Sequence, residues 1–450
     1  MTSVRPADSA VFHRELDRLY PVMVRAKGYR VFDDEGKEYI DAVGGGAAVN
    51  AIGFGVDEVV RAAQRQLEIL PFIHNQKFTN PLQEELAAEL LRRCPEYAKV
   101  IFCQGGGEAN ETALRLVRSY HVERGDPERW RVISVAQAYH GSTMATLALT
   151  GRPGLQYPYA PFIPDFPHIP PVDPEDDPDG QLGLQRLEDL IREAGPETIA
   201  AYWCEPVTAA AGPGRRPPDG FFRGLDALRK KYGFVVVFDE VVTGIGRTGT
   251  FLAAEQLPIV PDIVTIAKGL GGGYVPMGAV LSSRGVYDAI EQGSRDFSHG
   301  YTFNGYPLGC AVGLAVLRYL DQHDLIERVA AMGPSVLEVL RDTLLGLPFV
   351  HAVHGQGYLF GVTYRTPDGS FLDPALRVAR RIDVAALDLG LLTYSTQPTS
   401  DGYRGDQTML APAFTTTTQD FDRIGQRLRT AIQRVASDVE AGAPLNLVLG

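Results

Sequence analysis

Hydrophobic residues in the middle of the chain occur as short continuous runs, separated by longer segments with helical periodicity. Runs that are apolar at every position, rather than at alternate positions, are typical of strands buried on both faces. Their alternation with helices predicts an α/β fold with a mostly parallel sheet. Six such runs are predicted strands: residues 100–103, 131–135, 199–204, 234–238, 263–267 and 279–282.

The patterns outside these strands predict three further features. Residues 28–43 contain two short extended runs around Asp-Asp-Glu-Gly, which predicts a hairpin. Residues 161–179 are rich in proline, and we expect a surface excursion there because strands and helices resume afterwards. Near the end of the chain, an amphipathic helix is predicted from apolar residues at helical spacing: Ile424, Leu428, Ile432 and Val435.

Composition narrows the classes of partner and function. A chain of 450 residues is long enough for two or three structural units, and a net charge of -12 without a basic stripe disfavours nucleic acids as partners. Neither a secretion signal nor an apolar run near the roughly 18 residues of a membrane span is visible. The four cysteines have neither zinc nor disulfide spacing, so we expect buried thiols, no metal site and a cytoplasmic location.

Functional side chains of a parallel sheet gather beyond the carboxyl ends of its strands. Lys268 follows the strand at 263–267 and precedes Gly-Leu-Gly-Gly-Gly. Desolvation there would lower the pKa of its ammonium, and a neutral amine can form a Schiff base with a carbonyl cofactor. A lysine after a strand can equally point into water, so the residues at the other strand ends decide between the two interpretations.

The first two strand ends offer a glycine-rich turn and an aromatic ring. Gly106 and Gly107 open a helix, whose free N–H groups and dipole favour an anion such as phosphate, although a plain tight turn has the same sequence. Asn110 occupies the third glycine position of a dinucleotide fingerprint, which disfavours a nicotinamide oxidoreductase. Tyr139, before His140, offers a ring for stacking on a flat cofactor.

Two carboxylates and one hydroxyl complete the set of strand-end residues. Glu205 and Asp239 each follow an apolar strand, and a buried carboxylate such as Asp239 needs a cationic partner, which a protonated ring nitrogen would supply. Thr302 offers a hydroxyl for a phosphate, or belongs to a plain loop. An amine, an acid, a stacking ring and an anion site are together what pyridoxal phosphate requires.

The order and spacing of these motifs resemble the class III (omega) aminotransferases over nearly the whole chain. The residues that carry the resemblance are Asp-Glu-Val-Val-Thr-Gly-Ile-Gly-Arg-Thr-Gly at 239–249 and Ala-Lys-Gly-Leu-Gly-Gly-Gly at 267–273. The resemblance implies fold type I, the aspartate aminotransferase superfold, with a seven-stranded sheet in a large domain at 57–325 and pyridoxal phosphate as cofactor. Residues 1–56 and 326–450 would then build a smaller α+β domain.

The same resemblance assigns roles around the cofactor. Lys268, Asp239 and Tyr139 would act in catalysis: the lysine through the Schiff base and proton transfer, the aspartate on the ring nitrogen, and the tyrosine by stacking on the ring. Val241 would pack on the opposite face of the ring, and Glu205 would belong to the polar surroundings of the lysine.

The remaining cofactor contacts concern the phosphate. Gly106 and Gly107 would bind it through backbone amides, because the serines that the family carries in this turn are glycines here. His140 is a further expected cofactor-binding residue. Thr302 would reach the phosphate of a neighbouring subunit, which implies a homodimer with shared active sites.

Departures from the family bear on the substrate. The arginine that clamps a substrate carboxylate in related enzymes aligns with Met409, and its glutamate partner aligns with Ala210, so both halves of an ion pair are absent together. Gly46 and Ala47 stand where amine-specific members carry bulky side chains. Arg404 is a candidate for a side chain that swings in to hold a keto acid, or is a plain surface residue.

These departures predict an omega-aminotransferase. It would move the amino group of a primary amine or omega-amino donor to pyruvate or 2-oxoglutarate by a ping-pong mechanism. Long or thioester-bearing beta-amino substrates are the main alternative, and an aminomutase, racemase or decarboxylase would share the cofactor residues. A cofactor-sensing DNA-binding regulator is disfavoured because no basic domain precedes residue 28.

Overall fold

The structure, a computed structural model, describes residues 3–396 and 405–444. The strands are β1 Ser3–Val4, β2 Tyr20–Pro21, β3 Met23–Lys27, β4 Arg30–Asp33, β5 Glu38–Asp41, β6 Tyr97–Cys103, β7 Arg131–Val135, β8 His168–Ile169, β9 Ile199–Cys204, β10 Val235–Asp239, β11 Ile263–Ile266, β12 Gly278–Ser283, β13 Val350–Gln356, β14 Leu359–Tyr364, β15 Leu391–Leu392, β16 Tyr394–Thr396 and β17 Asp406–Leu410. The α-helices are α1 Asp57–Ile69, α2 Pro81–Arg93, α3 Gly106–Glu123, α4 Met144–Leu149, α5 Pro153–Gln156, α6 Gln181–Ala194, α7 Asp219–Tyr232, α8 Arg284–Gln292, α9 Pro307–Gln322, α10 Leu325–Leu344, α11 Val378–Asp388 and α12 Thr418–Glu440.

A seven-stranded sheet with the order β6-β12-β11-β10-β9-β7-β8 occupies the centre. Its strands are parallel except β12, which pairs antiparallel with both β11 and β6. The predicted mostly parallel sheet is therefore confirmed. Strands β7 and β9 have the predicted bounds, and the other predicted strands differ from the observed ones by one to three residues at an end.

The seventh strand lies inside the proline-rich residues 161–179. There, β8 pairs in parallel with β7, with Ser134 opposite His168 and Val135 opposite Ile169. Ile169 is buried, so the expected surface excursion is wrong for this strand. Prolines flank the two paired residues without occupying them, and a run of two residues is too short for a hydrophobic pattern to reveal.

Both faces of the central sheet are covered, which explains its continuous apolar runs. On β10, Val236 and Phe238 belong to one hydrophobic cluster, whereas Val235 and Val237 belong to another on the opposite face. The first cluster includes residues of α2 and α9, and the second includes residues of α3. These four positions are all removed from water, which explains why all four are apolar.

The two ends of the described chain share smaller sheets. The predicted hairpin is confirmed as β4 and β5, and β5 also pairs in parallel with β15, which lies far along the chain. A second four-stranded sheet has the order β13-β14-β17-β16. The predicted C-terminal helix is confirmed as α12, whose four predicted core residues are all buried.

All four cysteines are buried free thiols, as the sequence predicts. Burial raises the pKa of Cys310 to about 12, which keeps this thiol protonated. Within residues 3–396 and 405–444, no helix has both the length and the apolar content of a membrane span.

Candidate active site

The carboxyl ends of the parallel strands open into one cavity of 620 Å³. It brings together residues that the sequence singles out at the ends of five different strands. They are the glycine turn at 105–107 after β6, Tyr139 and His140 after β7, Glu205 after β9, Asp239 and Val241 at and after β10, and Lys268 after β11.

Asp239 is held by a buried hydrogen-bond network. Asn110 Nδ2 donates to Asp239 Oδ2 at 2.7 Å, and the backbone N–H of Val241 donates to Asp239 Oδ1 at 3.0 Å. Nδ1 of His140 lies 2.8 Å from the same Oδ2. Thr265 Oγ1 donates to Asn110 Oδ1 at 2.7 Å, which turns the Asn110 NH₂ group toward the carboxylate. Asp239 thus has a fixed orientation at the floor of the cavity.

Lys268 combines a desolvated amine with an unusual backbone. Its φ of +37° lies in the left-handed region, which non-glycine residues seldom occupy outside functional or constrained positions. Burial of the ammonium, together with the Arg247 charge, lowers the pKa of Lys268 to about 8. Asp239 and Glu205 oppose this shift without cancelling it. At pH 7 most of the amine is therefore still protonated, but the neutral, nucleophilic form is far more accessible than in an ordinary lysine.

Glu205 is a buried carboxyl group beside the lysine. It accepts hydrogen bonds from the backbone N–H groups of Tyr139, at 3.3 Å, and Ala209, at 3.1 Å. Burial raises the pKa of Glu205 to about 7, and the Asp239 charge acts in the same direction. Near neutral pH, Glu205 can therefore hold or release a proton close to Lys268.

We expect Glu205→Gln to flatten the pH dependence of stability in the cofactor-free protein. Because the folded chain binds this proton more tightly than the unfolded chain, the stabilisation is present below pH 4.5 and is lost as the pH rises through about 7. Between pH 5 and 8, the free energy of unfolding of the variant should therefore rise by on the order of 3 kcal/mol relative to that of the parent. Urea unfolding at both pH values measures the difference, with the exposed Glu193→Gln as control. If the free energies of unfolding of Glu205→Gln and the parent changed with pH in the same way, the raised pKa of Glu205 would be contradicted.

The glycine turn allows Val241 to approach the start of α3. A Cβ atom at Gly106 would lie 2.6 Å from Cγ1 of Val241, so only glycine fits at this position. The first backbone N–H groups of α3 have no partner within the helix, and they face the cavity with the positive end of the helix dipole. Gln104 also lines the cavity, and its buried Nε2 has no hydrogen-bond partner among the residues described. These donors fit a phosphate.

The donor set as a whole fits pyridoxal phosphate. Lys268 can bind the aldehyde, Asp239 can face the ring nitrogen, and the turn at Gly106 can receive the phosphate. Tyr139 lines the same cavity with an exposed ring, and its hydroxyl lies 3.0 Å from Ser142 Oγ. Val241 lines it as well.

The positions predicted for the substrate and for the neighbouring subunit are dispersed. Ala210 lines the cavity, whereas Met409 is buried on β17 in a separate apolar cluster that includes Val43 and Ala48. Ala47 and Thr302 are exposed, and Gly46 borders a second cavity. Arg404 lies outside the described residues. The roles suggested for these positions stay predictions.

The sequence did not single out Asn110 and Thr265 as part of the site. Asn110 lies on α3, four residues after Gly106, and the sequence argument used it only to reject a dinucleotide fingerprint. Thr265 interrupts the apolar run of β11 with a hydroxyl, which was the available signal for a buried polar contact.

Known proteins resemble this chain over most of its length. Residues 11–432 match the family described as Aminotransferase class-III. A probable aminotransferase from Mycobacterium tuberculosis is 35% identical over 426 residues, covering 92% of this chain and 90% of the relative. The gamma aminobutyrate transaminase 1, mitochondrial, of Solanum lycopersicum is 34% identical over 436 residues, covering 92% and 82%. The solved structure of an (S)-enantioselective omega-transaminase from Thermomicrobium roseum has a TM-score of 0.86 at 34% identity and covers 92% of each chain.

Proposed function

The chain belongs to the class-III aminotransferases, pyridoxal-phosphate enzymes of fold type I, and we propose that it moves amino groups from primary amines or omega-amino donors to a keto acid. The observation that carries this proposal is the cavity that Lys268 and the anchored Asp239 line together, with apolar Ala210 in its wall. Donor and acceptor use the same cavity in turn, which corresponds to a ping-pong mechanism.

Pyridoxal phosphate, when bound, supplies an electron sink that stabilises negative charge on the substrate carbon. Lys268 would hold the cofactor and, once its amine is free, would carry the proton at the substrate carbon. Asp239 keeps a negative charge at the ring nitrogen, and Asn110 holds that carboxylate in place. Tyr139 and Val241 line the same cavity and would restrict the bound ring. Glu205 provides a second protonatable group beside the lysine.

Two features support donors that lack a carboxylate next to the reacting amine. Ala210 in the cavity wall cannot pair with an arginine clamp, and Met409 lies in a buried apolar cluster. Of the described residues that line the cavity, Lys268 is the only lysine or arginine. The names of the tomato and Thermomicrobium relatives, a gamma-aminobutyrate transaminase and an omega-transaminase, agree with omega-amino or amine donors.

A panel of half-reactions tests the proposal. The visible absorbance of the lysine-bound cofactor is followed after addition of alkyl and aryl amines, omega-amino acids, beta-amino acids or alpha-amino acids. We expect amines or omega-amino acids to discharge the absorbance fastest. Ornithine or another alpha-amino acid reacting fastest at its alpha-amine would contradict the proposal. Fastest reaction of long beta-amino compounds would favour the alternative, for which the open space at Gly46 leaves room.

A homodimer is part of the proposal, with Thr302 contributing to the phosphate site of the neighbouring subunit. Thr302 is exposed, and beside it Phe303 is 47% exposed. The ring centroid of Phe303 lies 4.9 Å from that of Phe72, itself 37% exposed, with the two ring planes tilted by 56°. Exposed aromatic pairs of this kind favour a surface that a second subunit covers. Sedimentation equilibrium of the cofactor-loaded protein measures the assembly, and a monomer would contradict it.

For Arg404 we expect a separation of the two half-reactions. Arg404→Ala should slow the keto-acid half-reaction about 10- to 100-fold, the loss that accompanies removal of a hydrogen bond to a charged group. The amine half-reaction should change far less. Stopped-flow measurements of the two half-reactions give both rates. Equal losses of rate in the two half-reactions would reject a role for Arg404 in holding the acceptor carboxylate.

A further inference from the structure

A small rear cavity of 60 Å³ adjoins the active-site cavity, and Glu205 lines both. Two chain segments form the wall between them. After β7, Ala138 lines the rear cavity and Tyr139 lines the active-site cavity. After β9, Ala211 lines the rear cavity and Ala210 lines the active-site cavity. Glu205 is the one described residue that the two linings share, so the two cavities meet at this side chain.

The rear cavity continues into an outer cavity of 370 Å³. The described residues that line both are Gln137, Pro171, Asp173, Ala211, Gly212 and Arg215. The outer cavity reaches the protein surface, because its lining includes the exposed Pro171, Asp176 and Arg186. The rear and outer cavities therefore connect Glu205 to solvent by a route that does not pass through the active-site cavity.

The lining of the rear cavity suits water. A water molecule occupies about 30 Å³ in the liquid, so 60 Å³ is room for about two. Buried water also needs several polar partners. The polar side chains in this lining include Asp173, Glu205, Thr208, Arg215 and Arg216. An apolar void of this size would stay dry, whereas this lining favours occupancy by water.

Hydrogen bonds hold the passage between the rear and outer cavities in place. The guanidinium of Arg215 donates to Asp173, and its Nη2 lies 3.0 Å from Nε2 of His354. The backbone N–H of Thr208 donates to the carbonyl of Arg215 at 2.8 Å. Three separate segments of the chain thus fix the position of Arg215, which keeps the passage in shape.

The carboxyl group of Glu205 has hydrogen-bonding capacity to spare. Its hydrogen bonds to described residues come from two backbone N–H donors, those of Tyr139 and Ala209. When protonated, a carboxyl group also carries an O–H donor, which needs an acceptor. A water molecule in the rear cavity would supply one.

Charged groups line both of the cavities that meet at Glu205. They are Glu108, His140, Asp239 and Lys268 on the active-site side, and Asp173, Arg215 and Arg216 on the rear side. Burial raises the pKa of Glu205 to about 7, against the opposing effect of His140 and with a contribution from the Asp239 charge. Burial also lowers the pKa of Lys268 to about 8. Because the two pKa values lie close together, a proton can pass between these groups at a small free-energy cost.

We propose that the rear cavity holds water through which Glu205 exchanges its carboxyl proton with solvent while the active-site cavity is filled. In this step the O–H bond of Glu205 breaks, an O–H bond to a water molecule forms, and the excess proton leaves through the outer cavity. The reverse step returns a proton. A proton that the Lys268 ammonium transfers to Glu205 then leaves without crossing the space of cofactor and substrate. This role at Lys268 rests on the proposed function, whereas the exchange at Glu205 does not.

Crystal structures of the cofactor-loaded parent and of Gly212→Val test whether the rear cavity holds water. A Cβ atom at Gly212 would lie 3.3 Å from Cγ2 of Thr208, so a side chain fits if Thr208 moves slightly. Because Gly212 lines both the rear and the outer cavity, valine should narrow the passage between them. We expect a water molecule bonded to the Glu205 carboxyl group in the parent. A dry rear cavity in the parent would overturn the inference.

Infrared spectroscopy measures the proton exchange in the absence of substrate. At about pH 6, Glu205 is mostly protonated, and the carbonyl stretch of a carboxylic acid shifts when its O–H becomes O–D. The variant Glu205→Gln lacks this band and so identifies it. After transfer of the cofactor-loaded enzyme into D₂O, Gly212→Val and Ala211→Leu should exchange at least about tenfold more slowly than the parent. That factor corresponds to about 1.4 kcal/mol of additional opening free energy.

The exposed Gly285→Val is the control and should exchange at the rate of the parent. Thermal unfolding shows which variants keep the fold, and the smaller Gly212→Ala replaces Gly212→Val if valine unfolds the protein. Parental exchange rates in folded variants with a narrowed passage would overturn the inference, and so would a missing Glu205 band at about pH 6. These measurements use neither amino donor nor acceptor, so a failure of the proposed function appears separately, in the half-reaction panel.

Discussion

Replacing Lys268 with alanine is expected to lower amino transfer by at least about 10⁴-fold, the upper range for loss of a positioned proton-transfer group. In the structure its amine is desolvated at the end of β11, and its pKa of about 8 makes the neutral form available. No other lysine or arginine lines the described part of the cavity, so no neighbouring amine can replace it.

Single-turnover absorbance on the reconstituted variant measures the effect of Lys268→Ala. The variant should still bind the cofactor through the glycine turn but should lack the absorbance of the lysine-bound form. Lys230→Ala, at a lysine that is 72% exposed, is the matched control and should behave as the parent. Turnover of Lys268→Ala within about tenfold of the parent would show that another group carries the proton.

Replacing Asp239 with asparagine should reduce the rate about 10²- to 10³-fold, the usual loss when a fixed electrostatic partner is removed from an active site. The substitution keeps the shape but removes the charge that faces the ring nitrogen. It also places an NH₂ group opposite or beside the donor groups of Asn110 and Val241, so some loss of stability is expected.

The rate and the stability of Asp239→Asn are therefore measured together. Steady-state kinetics at saturating cofactor report the chemical step, and thermal unfolding reports the fold. Asn110→Ala is the comparison, because it retains the carboxylate and removes one of its anchors. We expect a smaller rate loss for Asn110→Ala than for Asp239→Asn. The reverse order would assign the main effect to the amide and not to the charge.

The strands of the central sheet could be predicted because burial on both faces requires a continuous run of apolar residues, which the sequence shows. Val235, Val236, Val237 and Phe238 are all apolar since each faces one of two hydrophobic clusters. The strand β8 could not be recognised in this way, because it pairs through only two residues and has no apolar run. The antiparallel direction of β12 was also not predicted, since an apolar run carries no information about strand direction.

Some of the active-site residues could likewise be predicted from the sequence, and others could not. Lys268, Asp239 and Tyr139 could be identified because each stands at or shortly after the end of a recognisable strand, and the ends of parallel strands meet at one edge of a sheet. Asn110 gave no such signal, although it holds Asp239 from a position 129 residues away in the chain. Its role depends on how α3 packs against the sheet.

By itself, the sequence determined the class of fold, the family and the set of strand-end residues. Buried strands appear in it as local apolar runs, and their order along the chain can be read directly. Only the tertiary structure decided which side chains meet. It placed Asn110 and His140 on Asp239 and left Met409 in a separate apolar cluster. Contacts between distant segments follow from the packing of whole elements, which no local pattern encodes.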